Sequence, residues 1–486
     1  MEYLYDKLRA YSGSGHYGFH MPGHKRNTDI LGTDLPYGLD ITEIDGFDDL
    51  HHARGIIKEG EERAAAVYHA EESHYLVNGS TVGILSAVLG VTQPGDRVIV
   101  ARNCHKSVYN ALYLNGLRPV WIYPDMIPGT SICGPVPVEQ VDVLLREYPD
   151  VKAVIMTSPT YDGIVSDVGA VAGAAHRHGV PLILDEAHGA HFGFHPYFPK
   201  NGNQLRADLV IHSLHKTMPS LTQTALLHIN GELAGRDRVR RCLHMLQSSS
   251  PSYVLMASID QCIRMIAEKQ EEWFESYVKL LQSARSDLRS LKNLALFETV
   301  PYDRGKIVID TSGSIIQNEK ETKKCTGKLL SDLLERKYLI QTEMAAPDYV
   351  VAMTSICDTE EGMDRLVSAL YEIDANLANA NEYEGYLAER RGEIEENPDI
   401  SEKNLQIFSM KEMDKFTNKG MSVLYQDSAG KVSLEYAYVY PPGIPLVVPG
   451  ERISSKTAAT LQKYVESGFD IEGTHTKGKI EVLEDG

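Results

Sequence analysis

The sequence predicts an α/β fold built on a mainly parallel sheet. Between residues 61 and 230, short apolar runs alternate with segments of helical periodicity. This alternation is typical of a parallel sheet that is covered by helices on both faces. Polar residues follow several of the apolar runs directly. Because ligands of such folds bind beyond the carboxyl ends of the strands, we expect the functional site at that edge of the sheet.

Short runs rich in valine, isoleucine and leucine predict the strands of this sheet. They are Ser73–Val77, Arg97–Ala101, Pro119–Tyr123, Ala153–Thr157, Pro181–Leu184, Leu209–His212 and Ala225–Ile229. Segments with helical spacing of apolar residues lie between many of them. The predicted helices are Val82–Val91, Val108–Asn115, Val138–Glu147 and Val168–His178.

The rest of the chain predicts an arm and further domains around this sheet. Residues 1–60 have little periodicity and predict an irregular N-terminal arm, and residues 61–290 form a large domain that closes with a helix over 252–290. Residues 291–380 predict a small α/β domain with the series Lys306–Asp310, Thr326–Arg336, Tyr349–Ser355 and Glu360–Ile373. Residues 381–486 predict a C-terminal domain: a charged stretch (Glu382–Asn404), a strand (Leu434–Tyr440), a Pro-Pro-Gly turn and a final helix.

Composition narrows the classes of partner. A chain of 486 residues with a net charge of −19 is repelled by nucleic acids and anionic membranes, so we expect neither as a partner. Its six cysteines show no C-x-x-C spacing, which favours reduced thiols over disulfides or a zinc site. Met1–Lys7 lacks the basic and apolar regions of a signal peptide, and no apolar run approaches the ~20 residues that span a bilayer. We therefore expect a cytoplasmic protein.

A lysine and an aspartate at strand ends are the most informative residues. Lys216 follows the predicted strand Leu209–His212 and a Ser-x-His cluster, and Asp185 ends the strand before it. This pair suits pyridoxal phosphate (PLP), because a lysine forms the Schiff base and a carboxylate keeps the pyridine nitrogen protonated. The sequence thus predicts an enzyme.

Two further strand ends carry candidate cofactor ligands. Asn78-Gly-Ser80-Thr81 opens a helix, whose free N–H groups and two hydroxyls could hold a phosphate, although an ordinary helix cap has the same residues. His105 could stack on the pyridine ring. The adjacent Lys106 competes with Lys216 for the Schiff base but lacks its strand-end setting.

A histidine cluster follows Asp185. His188 could orient this aspartate or face the substrate, and we include it among the catalytic candidates. His188, His191 and His195 could alternatively bind a metal, but their spacing in a glycine-rich loop offers no helix to aim them, so we expect no metal.

Several motifs, in this order along the chain, carry a family resemblance. They are His20-Met-Pro-Gly-His-Lys25, Asp40-Ile-Thr-Glu43, Phe47-Asp-Asp-Leu-His51, Asn103-Cys-His-Lys-Ser107, Pro159-Thr-Tyr-Asp-Gly163, Asp185-Glu-Ala-His-Gly189, Ser213-x-His-Lys216 with Leu221-Thr-Gln223, and Tyr440-Pro-Pro-Gly-Ile-Pro445 with Pro449-Gly-Glu451. Together they resemble the bacterial ornithine/lysine/arginine decarboxylases, in the short form without an N-terminal wing. The resemblance runs from residue 20 to about 455.

The resemblance implies the aspartate-aminotransferase-like fold (PLP fold type I) and a role for each matching residue. It implies that Lys216 is the Schiff-base lysine, Asp185 the partner of the pyridine nitrogen, and that Ala187 and His105 lie on the two faces of the ring. The positions matching the phosphate contacts are Ser80, Thr81, Ser213 and His215. Glu451 matches an acidic residue near the distal end of the substrate. His188 departs from the tryptophan of many larger members, so it leaves the lining of the substrate side open.

The fold alone leaves the reaction open. Aminotransferases of this fold usually grip the α-carboxylate with an arginine of the small domain, but Asp348–Ile356 contains none and Arg365 lies in the following helix. An ungripped carboxylate favours decarboxylation, whereas an aminotransferase, a lyase or a catalytically silent PLP-binding protein remain alternatives. Glu451, Asp40 and Glu43 could pair with the distal cation of a basic amino acid. These residues do not separate a guanidinium from an ammonium, but the resemblance to the short-form members implies arginine first and lysine second. We expect a homodimer or a larger even assembly.

Overall fold

A computed structural model describes residues 2–14, 35–317, 322–379, 403–416, 418–440, 443–466 and 468–484. The motif at residues 20–25 and all but the last two residues of the charged stretch 382–404 lie outside the described residues.

The N-terminal segment contains more helix than its sequence predicts. Helices α1 (Leu4–Ser12) and α2 (Ile56–Tyr68) lie at its two ends, so an irregular arm over 1–60 is wrong for these parts. In α1 only Leu4 and Leu8 are buried, which is too short an apolar stripe to give a visible period. The backbone N–H of Leu4 donates to the Asp260 carboxylate at 3.0 Å, which fixes α1 against the body of the protein.

A seven-stranded sheet forms the centre of the large domain. Its strands are β1 (Glu72–Leu76), β2 (Arg97–Ala101), β3 (Arg118–Ile122), β4 (Val151–Thr157), β5 (Leu182–Asp185), β6 (Leu209–His212) and β7 (Ala225–Ile229). Their order is β1-β7-β6-β5-β4-β2-β3, which confirms the seven predicted strands and the mainly parallel sheet. Strand β7 runs antiparallel to both of its neighbours, β1 and β6. The connection from β6 to β7 contains a single short helix and is not a full crossover, so the chain turns back.

Helices cover both faces of this sheet. They are α3 (Gly79–Val91), α4 (Lys106–Leu114), α5 (Val138–Glu147), α6 (Val168–Arg177), the short α7 (Leu214–Thr217), α8 (Arg236–Leu246) and the long α9 (Tyr253–Leu288). Helix α9 is kinked at Lys269, whose backbone leaves the helical region. Strands β5, β6 and β7 are buried at every residue between these layers, which gives the sheet edge a rigid frame.

The small domain follows α9. Its strands are β8 (Ala295–Leu296), β9 (Lys306–Asp310), β10 (Ser314–Gln317), β11 (Thr322–Lys324), β12 (Met344–Ala345), β13 (Tyr349–Met353) and β14 (Ala378–Asn379), and its helices are α10 (Gly327–Tyr338) and α11 (Glu360–Asp374). The sheet of order β12-β13-β9-β8 is antiparallel throughout. The predicted alternation of strands and helices is present, with additional short strands.

Short antiparallel pairs build the C-terminal part. The strands are β15 (Leu405–Gln406), β16 (Gly420–Leu424), β17 (Ala437–Val439), β18 (Ile444–Val447), β19 (Glu451–Arg452) and β20 (Lys479–Leu483), with helix α12 (Ser455–Glu466) before the last. Strand β20 pairs with β16, so the prediction that the chain ends on a helix is wrong. Among the described helices, none combines the length and the apolar character needed to cross a bilayer.

Candidate active site

The carboxyl ends of the parallel strands bring the predicted residues to one edge. Asp185 is the last residue of β5, and Lys216 lies in α7 directly after β6. His105 follows β2 and precedes α4. Because β2, β4, β5 and β6 run parallel, these side chains meet at the same edge.

Asp185 and Lys216 lie in a desolvated setting. Asp185 is 3 % exposed, and its carboxylate accepts a hydrogen bond from the N–H of Ala187 at 3.2 Å. Burial raises the pKa of Asp185, while the nearby charge of Lys216 opposes this shift. Burial likewise lowers the pKa of Lys216, against the attraction of Asp185. Desolvation at this edge therefore disfavours the charged form of both groups, and each is opposed by the charge of the other.

His188 lies between two lysines. Its Nε2 is 2.9 Å from Nζ of Lys216, and its Nδ1 is 3.3 Å from Nζ of Lys306. The ring of Tyr161 lies 4.6 Å from the imidazole centre. Burial, with the charges of both lysines, holds the pKa of His188 well below its usual value. Since both ring nitrogens are engaged with lysines, neither is left to orient Asp185.

The two other histidines of this loop have separate partners. His191 Nε2 lies 2.9 Å from the Asp303 carboxylate, and His195 Nε2 lies 3.2 Å from that of Glu275. The three side chains of the loop thus point to three different places, which is not the convergence that a metal needs.

His105 has the setting expected of a stacking residue. Its Nδ1 accepts a hydrogen bond from the backbone N–H of Ser107 at 3.2 Å and lies 2.9 Å from the side-chain hydroxyl of the same serine. Burial and the charge of Lys216 lower the pKa of His105 to about 4, so the ring is neutral. The adjacent Lys106 points away, with its ammonium 5.1 Å and 4.8 Å from the ring centres of Tyr438 and Tyr440. Lys106 is thus held by the C-terminal part.

The start of α3 can bind an anion. Gly79 has a φ of +73° and open space where a Cβ would be. Asn78 makes no side-chain cap and instead accepts the N–H of Ser248 at 3.0 Å, so the N–H groups of the first turn are not capped by it. The hydroxyls of Ser80 and Ser213 are hydrogen-bonded to each other at this point, and Thr81 is exposed. These donors fit a phosphate group.

His215 fits a phosphate less well. Its Nδ1 lies 2.9 Å from the carbonyl oxygen of Thr224, which can only accept, so Nδ1 carries the proton. Burial lowers the pKa of His215, and the neutral ring then offers Nε2 as an acceptor. A phosphate contact here would require protonation of the ring.

Ala187 leaves room for a flat ring beside Asp185. Its side chain is small and 6 % exposed. A lysine amine, a buried carboxylate, a neutral imidazole and an anion-binding helix start are the groups that pyridoxal phosphate requires. The residues present therefore fit this cofactor.

The predicted substrate acid Glu451 has internal partners. It is fully buried, and its carboxylate lies 3.2 Å from Nη2 of Arg102, 3.1 Å from Nδ2 of Asn404 and 3.0 Å from the N–H of Val448. Arg102 also donates to the carbonyl of Pro445 at 2.5 Å. The structure thus gives Glu451 the position of a link between the end of β2 and the C-terminal part.

The other two acids lie in the loop before α2. Asp40 and Glu43 are half-buried, and Glu43 is within electrostatic range of Tyr253 at the start of α9. Oε1 of Glu43 has no hydrogen-bond partner within the described part of the chain. Neither acid has a described contact with Lys216 or His188.

Two charged residues of the small domain reach the site and were missed. Lys306 begins β9, is 1 % exposed and has its pKa lowered to about 8 by burial, against the attraction of Asp303. Glu343 is exposed, accepts the hydroxyl of Tyr161 and lies within electrostatic range of both lysines. In the sequence, the one hint at Lys306 is a lysine at the start of the apolar run Ile307–Ile309.

Known proteins match over almost the whole chain. Residues 3–311 match the major domain of Orn/Lys/Arg decarboxylases, and residues 410–472 match their C-terminal domain. The uncharacterized protein YaaO of Bacillus subtilis is 32% identical over 99% of this chain and 97% of its own length. An arginine decarboxylase of Halalkalibacterium halodurans is 31% identical over 97% of this chain and 94% of its own.

Solved structures share the fold. The lysine decarboxylase LdcF of Francisella novicida superposes with a TM-score of 0.82 at 20% identity, over 99% of this chain and 81% of its own. A ureidoglycine–glyoxylate aminotransferase of Bacillus subtilis matches with a TM-score of 0.52 at 14% identity, over 66% of this chain and 84% of its own. These likenesses confirm the predicted PLP fold type I. The chain belongs to the Orn/Lys/Arg decarboxylase family, whose members are PLP-dependent amino-acid decarboxylases.

Proposed function

We propose that this protein removes the α-carboxyl group of a basic L-amino acid, converting arginine to agmatine or, as the second choice, lysine to cadaverine. The observation that carries the proposal is the pairing of Lys216 and buried Asp185 at one sheet edge in a member of this family. When bound, the cofactor accepts the electron pair that remains on Cα as carbon dioxide departs.

The protein's own groups would hold that cofactor. Lys216 would bond it covalently, and Asp185 would keep its pyridine nitrogen protonated. Ala187 and His105 would lie on the two faces of the ring. The start of α3, with Ser80, Thr81 and Ser213, would bind the phosphate.

The small domain supports decarboxylation over transamination. Strand β13 contains no arginine, and Arg365 donates to the carbonyls of Tyr338 and Leu339 at 3.2 Å and 3.4 Å on the surface. Lys306, the buried cation nearest the site in this domain, is engaged with His188. An α-carboxylate that is not gripped can turn perpendicular to the ring, where it leaves as carbon dioxide.

A basic substrate is supported by two observations. The relatives that match over nearly their full length include proteins named arginine decarboxylase, and solved structures with the same fold are named lysine decarboxylases. Exposed Glu343 offers a carboxylate near Lys216 that a distal guanidinium or ammonium could reach. The resulting amine is a polyamine or a precursor of one.

We further propose that the protein forms a dimer, or a larger even assembly, and that it works in the cytoplasm. Leu221, Met245 and Leu246 are exposed near Asn78 and the start of α3, where a second copy of the chain would cover them. The six cysteines are free, as a reducing compartment would keep them. Light scattering on the active protein tests the assembly.

Product analysis tests the function. The PLP-loaded protein is supplied with arginine, lysine or ornithine, and carbon dioxide, amine and keto acid are measured. We expect carbon dioxide and amine in equal amounts. Keto acid without carbon dioxide would indicate an aminotransferase, and no product from any basic amino acid would reject the proposal.

A further inference from the structure

The position of His188 raises a question of proton placement. Its ring bridges Lys216 at 2.9 Å and Lys306 at 3.3 Å, and His188 and Lys306 are 5 % and 1 % exposed. Lys306 comes from β9 of the small domain, whereas Lys216 and His188 come from the large domain. The contact therefore joins the two domains at the site.

Counting protons limits the charge states of the three groups. A neutral imidazole has one N–H donor and one acceptor nitrogen, and an ammonium group can only donate. Two ammonium groups therefore cannot both bond to a neutral ring, and an imidazolium can bond to neither. Because burial favours a neutral ring, both contacts are hydrogen bonds only if one lysine donates to the ring and the other, as a neutral amine, accepts from it.

The surrounding carboxylates indicate which lysine carries the charge. Lys306 lies near Asp303, which is fully buried and accepts the N–H of Gly305 at 2.9 Å. Oδ2 of Asp303 has no hydrogen-bond partner among the residues that the structure describes. Asp185, the carboxylate near Lys216, is instead assigned to the cofactor's pyridine nitrogen. Asp303, Glu343 and Asp162 all attract the charge of Lys306, although Asp303 also lies 2.9 Å from Nε2 of His191. With Asp185 paired with the cofactor, Glu343 is the remaining carboxylate that attracts Lys216, so we place the positive charge on Lys306.

We propose that Lys306 is a positioning residue that acts through His188. Its ammonium donates to Nδ1, which places the ring proton on Nε2, and this N–H donates to a neutral amine of Lys216. The inference rests on the proposed role of Lys216 in bonding the cofactor. The neutral Nζ supplies the electron pair for a C=N bond to the cofactor's aldehyde carbon, and its two hydrogens leave with the aldehyde oxygen as water.

All three groups lie in a desolvated setting that disfavours their charged forms. Burial lowers the pKa of Lys216 and of His188, and lowers that of Lys306 to about 8, so Lys306 is still largely charged at neutral pH. The other charged or titratable groups that face the three are Asp185, His105, His215, Tyr161, Asp162, Asp303 and Glu343. The carboxylates among them favour a single retained positive charge.

The rate at which the apoprotein takes up PLP, measured against pH, tests the proposal. In the wild type we expect a rate that changes by less than about threefold between about pH 7 and 9, because Lys216 is already neutral. A wild-type rate that rises about tenfold per pH unit would overturn the proposal without any variant.

Substitutions at Lys306 separate its roles. Lys306→Met should slow uptake at neutral pH by about 10- to 100-fold and make it recover as pH rises, because Lys216 regains its proton. Lys306→Gln keeps an N–H donor for Nδ1 and should restore much of the rate. Lys152→Met removes an exposed lysine of β4 and should change nothing. A Lys306→Gln variant as slow as Lys306→Met, with the fold intact by circular dichroism, would refute positioning through the hydrogen bond.

Borohydride reduction followed by peptide mapping separates this inference from the proposed function. Label on Lys216 together with unchanged uptake in Lys306→Met would reject only the present inference. If Lys306→Met takes up PLP normally but has a raised KM for the amino-acid substrate, Lys306 would instead be a ligand of the substrate carboxylate. Label on Lys306 would move the covalent role there and overturn both proposals.

Discussion

Neutralising Glu451 should destabilise the junction of the C-terminal part with β2. The groups that bond to the Glu451 carboxylate are all hydrogen-bond donors: Nη2 of Arg102, Nδ2 of Asn404 and the N–H of Val448. In Glu451→Gln, one carboxylate oxygen becomes an NH2 group. Whichever way the amide is turned, that group faces a donor, and the buried guanidinium loses its counter-charge.

The expected cost follows from the geometry. At the observed 3.2 Å, Coulomb's law with an effective dielectric constant of about 20 gives an attraction of about 5 kcal/mol. Arg102 retains the carbonyl of Pro445 and the face of Trp121, 5.3 Å away, so part of this is recovered. Loss of one partner of a buried pair typically costs about 3–5 kcal/mol, and we expect the lower half of that range.

Fluorescence gives a local reporter of this change. The chain has two tryptophans, Trp121 and Trp273, and only Trp121 lies against Arg102. Urea unfolding in a Trp273→Phe background should therefore show an earlier transition for Glu451→Gln. Glu466→Gln, which removes an exposed charge from α12, is the matched control and should unfold like the parent.

The same variant distinguishes the two roles considered for Glu451. A free energy of unfolding within about 0.5 kcal/mol of the parent, with a selective loss of kcat/KM for basic amino acids, would refute the structural reasoning. Glu451 would then be a substrate ligand, as the family resemblance implies. Unfolding that is strongly destabilised, with normal kcat/KM in the remaining folded protein, supports the link.

Three further outcomes are expected. Lys216→Ala should abolish the visible absorption band of the bound cofactor and all turnover; retention of the band would move the covalent role to another lysine. Glu343→Gln should raise the KM for arginine about tenfold with little change in kcat, because about 1.4 kcal/mol of charge pairing with the substrate is lost. An equal rise in KM for neutral amino acids would contradict a role of Glu343 in binding the substrate's distal cation. Burial holds the pKa of His228 well below its usual value, so the unfolded chain binds its proton first and stability should fall as pH drops below about 6.5. Thermal melts of His228→Gln should show this slope reduced by about 1 kcal/mol per pH unit.

The fold was predictable where the signal is local. Strands β2, β4, β5, β6 and β7 are runs rich in buried aliphatic residues, and their sequence alone shows them. The pairing of β7 with β1 and the presence of β20 beside β16 depend on distant segments, which no window of sequence contains. The same holds for α1, because two buried leucines become an apolar face only against α9.

The site was likewise predictable only where its residues lie close to a strand end in the sequence. Asp185 ends an apolar strand, and Lys216 and His105 come shortly after two others, so their position in the chain already implies the sheet edge. Lys306 is 118 residues from His188, and Glu343 is 182 residues from Tyr161, so only the docking of the small domain brings them in. The sequence therefore predicts the half of the site that the large domain supplies.

His188 shows why the two halves have to be considered together. From the sequence alone it is a polar residue after Asp185 with several conceivable roles. With Lys306 in place, both its nitrogens are committed, and its pKa is held well below the usual value by burial and two neighbouring cations. Protonation of this ring is unfavourable. With Lys306 charged, as we propose, Lys216 is the group that gives up its proton. The small domain thus bears on the reactivity of a lysine that it does not contain.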